Sequence, residues 1–277
     1  MYLSLQSTLV AGRVTWPDFA ELAHKVGYPG TDVSLRQAIP FGISETQALL
    51  EKLHLKPAVV EFPVEFRKDD ETFRADFAKL NNAVQFAVGI GCPRMTTYIP
   101  ASSDIPKPEL WRIYRERFTA CANVLAQSHC RLGLEFLGPL ELRKRFRYEF
   151  IWTMNEMLSF ARQCGSNVGL LLDSWHWHHA GATAADIVEA GKDRIVHVQV
   201  NDAPDLLADQ IHDNQRLLPG EGIIDLAGFF RALQKIGYSD GVSPEVFGRG
   251  LKDMLPEEGA RLGFESARAV MQKAGIA

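Results

Sequence analysis

Residues 168–179 read VGLLLDSWHWHH, and this segment decides the predicted fold. Its apolar run, residues 168–172, is uncharged and too short for a helix, which is typical of a strand buried on both faces of a parallel sheet. The run ends on Asp173, and His176, His178 and His179 follow within six positions. A buried strand that carries Asp173 and His176 to its carboxyl end indicates an α/β protein with a functional site at that edge.

Short apolar segments of this kind alternate with helical patterns about eight times along the chain. Strands are predicted over residues 3–10, 30–35, 56–62, 94–99, 131–137, 167–173, 194–200 and 242–247. Eight strand–helix units in about 250 residues match a (β/α)₈ barrel. We therefore predict an α/β protein with a single TIM-barrel domain over residues 1–277. A doubly wound open sheet is the alternative, but the segment Ala11-Gly12-Arg13 is not the glycine-rich phosphate loop that such a sheet usually carries after its first strand.

Composition limits the partners of this 277-residue chain, which is 46% hydrophobic, 23% charged and has a net charge of −4. No run approaches the roughly 20 apolar residues of a membrane span, and the amino terminus lacks the basic flank of a signal peptide. A mildly acidic chain argues against nucleic acid as a partner. The four cysteines form no CxxC pair, so we expect buried, reduced thiols in a cytoplasmic protein. Its partner would be a small molecule, with a homo-oligomer left open.

Four late strands each end near a polar side chain: Glu135, Asp173, Gln199 and Glu245. The strand carboxyl ends of a barrel converge on one mouth. Ionised carboxylates in apolar surroundings are unfavourable unless they are paired or metal-bound, and three together repel one another. A divalent cation would resolve both problems. This all-oxygen set suits Mn²⁺ or Mg²⁺, with Co²⁺ also tolerated, whereas Zn²⁺ more often has histidine or cysteine ligands.

The carboxylates also have a simpler interpretation. Glu135 or Glu245 could pair with one of the arginines Arg94, Arg131 and Arg249. Four such positions on consecutive strands nevertheless favour a shared metal site over separate ion pairs.

Three other polar residues have two interpretations each. Gln199 could be a buried amide that hydrogen-bonds to backbone. His176 could pack among tryptophans, although its spacing from Asp173 places it at the same mouth. His197 lies deeper on its strand, either as a partner of a metal ligand or as a core histidine.

Five segments of the chain carry a family resemblance: GLEFLGP at 133–139, VGLLLDSWH at 168–176, RIVHVQVND at 194–202, RLLPGEGIID at 216–225 and SPEVF at 243–247. They resemble the xylose-isomerase-like TIM-barrel superfamily of sugar phosphate isomerases and epimerases, and the resemblance covers nearly the whole chain. The family includes ketose 3-epimerases, hydroxypyruvate isomerases, inosose dehydratases, 3-dehydroshikimate dehydratases and metal-dependent endonucleases. The endonucleases use more histidine ligands and a basic face, and this sequence has neither.

The resemblance assigns roles to individual residues. It implies metal ligands at Glu135, Asp173, Gln199 and Glu245. Epimerases usually carry histidine at the position of Gln199, and glutamine there is similar to 3-dehydroshikimate dehydratases.

Three other residues of this sequence can be compared with the residues at the same positions in the family. His176 matches a dehydratase histidine, whereas Leu137 stands where those dehydratases tend to have another. Arg216 matches a substrate-contacting arginine.

These features lead to three hypotheses for function. The first is a metal-dependent isomerase or epimerase of a small keto-sugar or sugar derivative, acting through a stabilised enediolate. Here Glu135 and Glu245 would exchange the proton, His176 would bind a substrate oxygen, and Arg216 or, as a weaker candidate, Arg67 would hold a distal group.

The second hypothesis is a dehydratase in which His176 acts as base and then as acid. The third is a non-catalytic barrel that retains no metal. Phosphorylated substrates are not expected, because no glycine-rich anion loop follows strands seven or eight.

Overall fold

The central element of the computed structural model, which describes residues 1–276, is a closed barrel of eight parallel strands. Each strand pairs with its neighbour in the chain, and the first and last strands close the barrel through Tyr2 opposite Gly241. The predicted single TIM barrel is thereby confirmed. The strands are β1 (Tyr2–Leu5), β2 (Gly30–Val33), β3 (Lys56–Glu61), β4 (Arg94–Tyr98), β5 (Arg131–Glu135), β6 (Val168–Asp173), β7 (Ile195–Val200) and β8 (Gly241–Pro244).

Helices follow the strands and pack around the barrel. Thr15, Asp69, Thr153 and Asp225 each accept a backbone N–H at the start of a helix, as N-cap residues do. The helices are α1 (Trp16–Val26), α2 (Leu35–Phe41), α3 (Ile43–Lys52), α4 (Asp70–Gly89), α5 (Lys107–Ala126), α6 (Leu140–Arg143), α7 (Met154–Cys164), α8 (Ser174–His179), α9 (Ala184–Ala190), α10 (Leu226–Lys235) and α11 (Pro256–Lys273).

The core lies inside the barrel and between its strands and helices. Every residue of β6 and β7 is buried, as expected for parallel strands covered on both faces. All four cysteines are buried and free, which confirms the prediction made for them. Within residues 1–276, no helix is both long enough and apolar enough to span a bilayer.

Four predicted strands run at least two residues past the end of the observed strand, and the first and the last do so by the most. Residues 3–10 do not form one strand, because β1 ends at Leu5 and Ser7–Val10 form a 3₁₀ turn. The Gln6 side chain accepts the N–H of Thr8 at 2.6 Å and starts this turn. The last strand, predicted over 242–247, ends at Pro244, so Glu245 lies just beyond the sheet.

Three short helices, α2, α6 and α8, were not predicted, because seven, four and six residues are too few to show helical periodicity. Helix α3 begins at Ile43, directly after Gly42. The α8 helix matters most for function. Asp173 caps it by accepting the N–H of Trp175 at 2.7 Å, which turns His176 back toward the barrel mouth.

Candidate metal and substrate site

The four side chains predicted as metal ligands meet at the carboxyl ends of β5 to β8. One carboxylate oxygen from each of Glu135, Asp173 and Glu245 lies within 4.8 Å of the others. Gln199 joins them, since its Nε2 donates to Glu245 Oε1 at 3.0 Å. We call these four residues the carboxylate cluster.

Two oxygens of the cluster are buried without a partner. Glu135 Oε1 and Gln199 Oε1 accept no hydrogen bond from any residue that the structure describes, 1–276. They are two of the ten buried side-chain atoms without a hydrogen-bond partner in residues 1–276, and they are the two that belong to the cluster. Burying an unsatisfied oxygen is unfavourable, so an ion that uses these oxygens would stabilise the site. Three carboxylates and one amide oxygen also form the donor set that hard divalent cations prefer. The residues present therefore fit a divalent metal ion.

Arg216 supplies the positive charge next to the cluster. Its Nη1 donates to Asp173 Oδ2 at 3.0 Å and to Glu245 Oε2 at 2.8 Å, while its Nη2 donates to Asp213 Oδ1 at 2.9 Å. The guanidinium is 2% exposed and lies over the Phe247 ring, 4.5 Å from its centroid. Arg216 thus pairs with two of the three carboxylates.

The arginines considered as alternative partners lie elsewhere. Arg94 pairs with Asp240 at 2.5 Å, and Arg249 pairs with Glu221 at 2.6 Å. Arg131 donates to a backbone carbonyl at 2.6 Å. The alternative of ion pairs with these three arginines is therefore wrong.

Arg67 is engaged by its own loop. Its guanidinium pairs with Glu65 at 2.8 Å and lies over the ring of Tyr98, the last residue of β4, at 4.8 Å. Its assignment to substrate binding stays a prediction.

The electrostatics of the cluster follow from burial. Burial raises the pKa of Glu135, and the carboxylates of Glu245 and Asp173 raise it further. Burial also raises the pKa of Asp173, and it raises the pKa of Glu245 to about 7, although Arg216 opposes both shifts. Burial disfavours the charge on Arg216, but the surrounding carboxylates outweigh it and raise the pKa of this guanidinium. One arginine therefore does not balance three ionised carboxylates, and the raised pKa values favour binding of a proton or another cation there.

His176 lies beside the cluster as a buried imidazole. Its Nε2 lies 3.7 Å from Glu135 Oε1 and 3.2 Å from Arg216 Nη2, while its Nδ1 lies 3.3 Å from the backbone N of Gly138. Burial, aided by Arg216, holds the pKa of His176 well below its usual value. A neutral imidazole can donate or accept a hydrogen bond, as a residue that binds a substrate oxygen must.

A close approach of the backbone fixes this histidine. A Cβ on Gly138 would overlap the carbonyl oxygen of His176 and lie 2.8 Å from the backbone N of Ala180. Only glycine lets the segment after β5 touch α8 here, and this contact with α8 cannot be read from the local sequence.

Two further residues hold the cluster and were also missed. Asn201 Nδ2 lies 3.0 and 3.1 Å from the two carboxylate oxygens of Asp173 and 3.0 Å from the carbonyl oxygen of Glu245. Gln6 Nε2 donates to Glu245 Oε1 at 2.6 Å. Asn201 directly follows β7, and Gln6 directly follows β1. A polar residue directly after a barrel strand is the sequence signal that could have identified both.

A second polar group lies inside the barrel around Asp32. Its Oδ1 accepts from Ser4 Oγ at 2.7 Å and from Ser243 Oγ at 2.8 Å. His197 Nε2 lies 2.9 Å from Ser243 Oγ, so His197 belongs to this group. Burial raises the pKa of Asp32 to about 7 and lowers the pKa of His197 to about 3.

The Asp32 carboxylate is expected to destabilise the protein above neutral pH. Its pKa rises from 3.8 to about 7 on folding, so the native state holds a proton that the unfolded chain releases. Stability then falls as pH rises from about 4 to about 7, and the full penalty remains above that window. We expect Asp32→Asn to stabilise the protein by about 2 kcal/mol at about pH 8 and by much less near pH 4.

Urea unfolding of both proteins across this pH range, with chelator present, measures the difference. A stability difference that stays constant with pH would contradict the raised pKa.

Comparisons with known proteins agree with this architecture. A family model described as xylose isomerase-like TIM barrel matches residues 20–270. Inosose isomerase from Bacillus velezensis is 24% identical over 262 residues, 91% of this chain and 91% of that protein. 3-Dehydroshikimate dehydratase from Pseudomonas putida is 32% identical over 165 residues, 53% of this chain and 26% of that protein. A solved xylose isomerase domain protein from Alicyclobacillus acidocaldarius has a TM-score of 0.91 at 28% identity and covers 99% of both chains.

Proposed function

The chain belongs to the xylose isomerase-like TIM barrel family, and we propose that it is a divalent-metal-dependent isomerase or epimerase of a small keto-sugar or sugar derivative. The observation that carries this proposal is the carboxylate cluster, with its two buried and unpartnered oxygens. The similarity to an inosose isomerase over 91% of the chain supports the same class of reaction.

Glu135, Asp173, Gln199 and Glu245 would hold the ion. Gln199 would use Oε1, because its Nε2 already donates to Glu245. Mn²⁺ suits this oxygen set best, with Mg²⁺ and Co²⁺ as alternatives. When bound, such an ion polarises a carbonyl and stabilises negative charge on its oxygen.

The protein's own groups would move the proton and orient the substrate. Glu135 ends β5 and Glu245 follows β8, and the two would remove and return the proton of the carbon next to the carbonyl. His176 would hydrogen-bond a substrate oxygen through Nε2, which lies near Glu135. Arg216 would hold a hydroxyl or an acidic group by exchanging its Nη2 contact with Asp213, with Arg67 as a weaker candidate. Burial of these groups excludes water from the reacting atoms.

Dehydration is the alternative reaction, and Gln199 favours it. Glutamine at this position is similar to 3-dehydroshikimate dehydratases, and such an enzyme is among the relatives. His176 would then act as base and afterwards as acid for loss of a hydroxyl as water. Leu137, where those dehydratases tend to have histidine, argues against dehydroshikimate itself.

One assay distinguishes isomerisation from dehydration. Metal-loaded protein is incubated in D₂O with ketohexoses, an inosose and dehydroshikimate. Deuterium entering the carbon next to the carbonyl, without a new enone or aromatic absorbance, indicates isomerisation, whereas growth of that absorbance indicates dehydration. A protein that retains no metal and catalyses neither would be the non-catalytic barrel.

Glu135→Gln and Glu245→Gln are each expected to slow exchange by about 10²- to 10⁴-fold, because glutamine cannot accept the proton. Glu71→Gln, at an exposed position of α4, removes the same charge elsewhere and serves as the matched control. Wild-type exchange rates in both site variants would contradict the proposed roles.

The partner that this function implies is a small carbohydrate-like molecule. A cytoplasmic location and a homo-oligomer stay predictions.

A further inference from the structure

A cavity of about 240 Å³ lies at the carboxyl ends of β1, β2 and β3. Gln6 and Gln199 line it, and both donate to Glu245. The cavity therefore adjoins the carboxylate cluster on the side opposite to β5 and β6. Its volume lies just below the roughly 300–1,000 Å³ of typical ligand sites, which suits part of a small substrate.

Asp32 presents an unused hydrogen-bond acceptor at this cavity. Its Oδ1 accepts from Ser4 and Ser243, whereas its Oδ2 accepts no hydrogen bond from residues 1–276. The side chain lines the cavity and keeps 16% of its surface exposed. The two serines fix the carboxylate and leave one oxygen for a ligand.

The charged side chains that line the cavity are all acidic. Its lining, all within the described part of the chain, includes no lysine, arginine or histidine. Glu61 is the second acidic residue, but its carboxylate accepts the N–H groups of Leu35 (2.9 Å) and Arg36 (3.2 Å) at the start of α2. Apolar side chains such as Trp16 complete the wall. An anionic group would find no basic partner there.

We propose that this cavity receives the part of the substrate remote from the reacting carbonyl, and that Asp32 selects a neutral, hydroxyl-bearing group there. A substrate hydroxyl would donate to Asp32 Oδ2, while a carboxylate or phosphate would be repelled. This inference rests on the proposed function and adds a specificity-determining residue to it. A hydrogen bond to a charged acceptor corresponds to about 10- to 100-fold in affinity.

Aspartate at position 32 is unfavourable for stability when ionised, because most of its side chain is removed from water, with 16% exposed. An asparagine could accept the two serine hydroxyls equally well. Groups that lower stability without a structural benefit are concentrated at functional sites.

The first test measures binding of two unreactive cyclitols, neutral myo-inositol and carboxylated quinate, by calorimetry at about pH 8.5, where Asp32 is ionised. We expect wild type to prefer myo-inositol by at least about tenfold, and Asp32→Asn to reduce that preference about tenfold. Glu71→Gln, which removes a negative charge from exposed surface, should keep the wild-type preference.

The second test measures turnover in the deuterium-exchange assay. Asp32→Asn should lower kcat/KM by about 10- to 100-fold for the ketohexose or inosose that is turned over. It should lower kcat/KM far less for dihydroxyacetone, which has the reacting carbonyl and its neighbouring hydroxyl but no remote group.

The outcomes distinguish the two proposals. Equal losses on the long and short substrates, or an unchanged preference between myo-inositol and quinate, would overturn the role of Asp32 while leaving the isomerase intact. No exchange on any substrate by metal-loaded wild type would overturn the proposed function instead. A preference of wild type for quinate would show that the cavity binds anions.

Discussion

Asp173→Asn is expected to remove the bound metal ion and to lower kcat/KM by about 10³-fold or more. Asp173 is fully buried, and Asn201 Nδ2 lies within hydrogen-bond distance of both its oxygens. Asparagine has nearly the same shape, but it has no charge and one oxygen fewer. It would also turn an amide donor toward Asn201 or Arg216, which are donors themselves. The expected loss of metal and of activity therefore comes from the missing charge and oxygen and not from a change in side-chain volume.

Metal content per chain and kcat/KM are measured on protein purified under identical conditions. Asp209→Asn, at an exposed loop position, makes the same chemical change away from the cluster and should leave both quantities unchanged. Asp173→Asn protein that keeps one equivalent of metal and full activity would rule out Asp173 as a ligand.

Arg216→Met is expected to destabilise the metal-free protein by about 3–5 kcal/mol. The guanidinium is 2% exposed and is the cation that pairs with Asp173 and Glu245 in residues 1–276. Methionine keeps most of the contact with the Phe247 ring but leaves the carboxylates without that charge. Added Mn²⁺ should reduce the difference between variant and wild type, because an ion among the carboxylates would supply positive charge in its place.

Urea unfolding with chelator and with excess Mn²⁺ gives the free energies of unfolding of wild type and Arg216→Met, each without and with metal. Arg249→Met is the control, because Arg249 pairs with Glu221 at the surface with 43% of its side chain exposed. That change should lower stability by less than about 1 kcal/mol. If the two variants lose equal stability, or if Mn²⁺ leaves the Arg216→Met deficit unchanged, the carboxylates do not depend on Arg216 for charge balance.

The sequence by itself determined the barrel and the members of its carboxylate cluster. Buried strands such as β6 are apolar on both faces, so each stands out as a short uninterrupted run. A polar residue at the carboxyl end of such a run is expected to lie at the barrel mouth. Glu135, Asp173, Gln199 and Glu245 could therefore be identified one strand at a time. The family resemblance of the surrounding motifs is now confirmed by the match over residues 20–270.

Tertiary structure alone decided which partners those residues meet. Arg216 reaches Asp173 and Glu245 across 43 and 29 positions of chain, through a loop without regular periodicity. Asp32 meets Ser4 and Ser243 because β1 pairs with both β2 and β8 when the barrel closes. Local sequence determines which segments form strands, but the register in which the barrel closes determines which side chains share the barrel interior. The cavity beside Asp32 is a product of that closure.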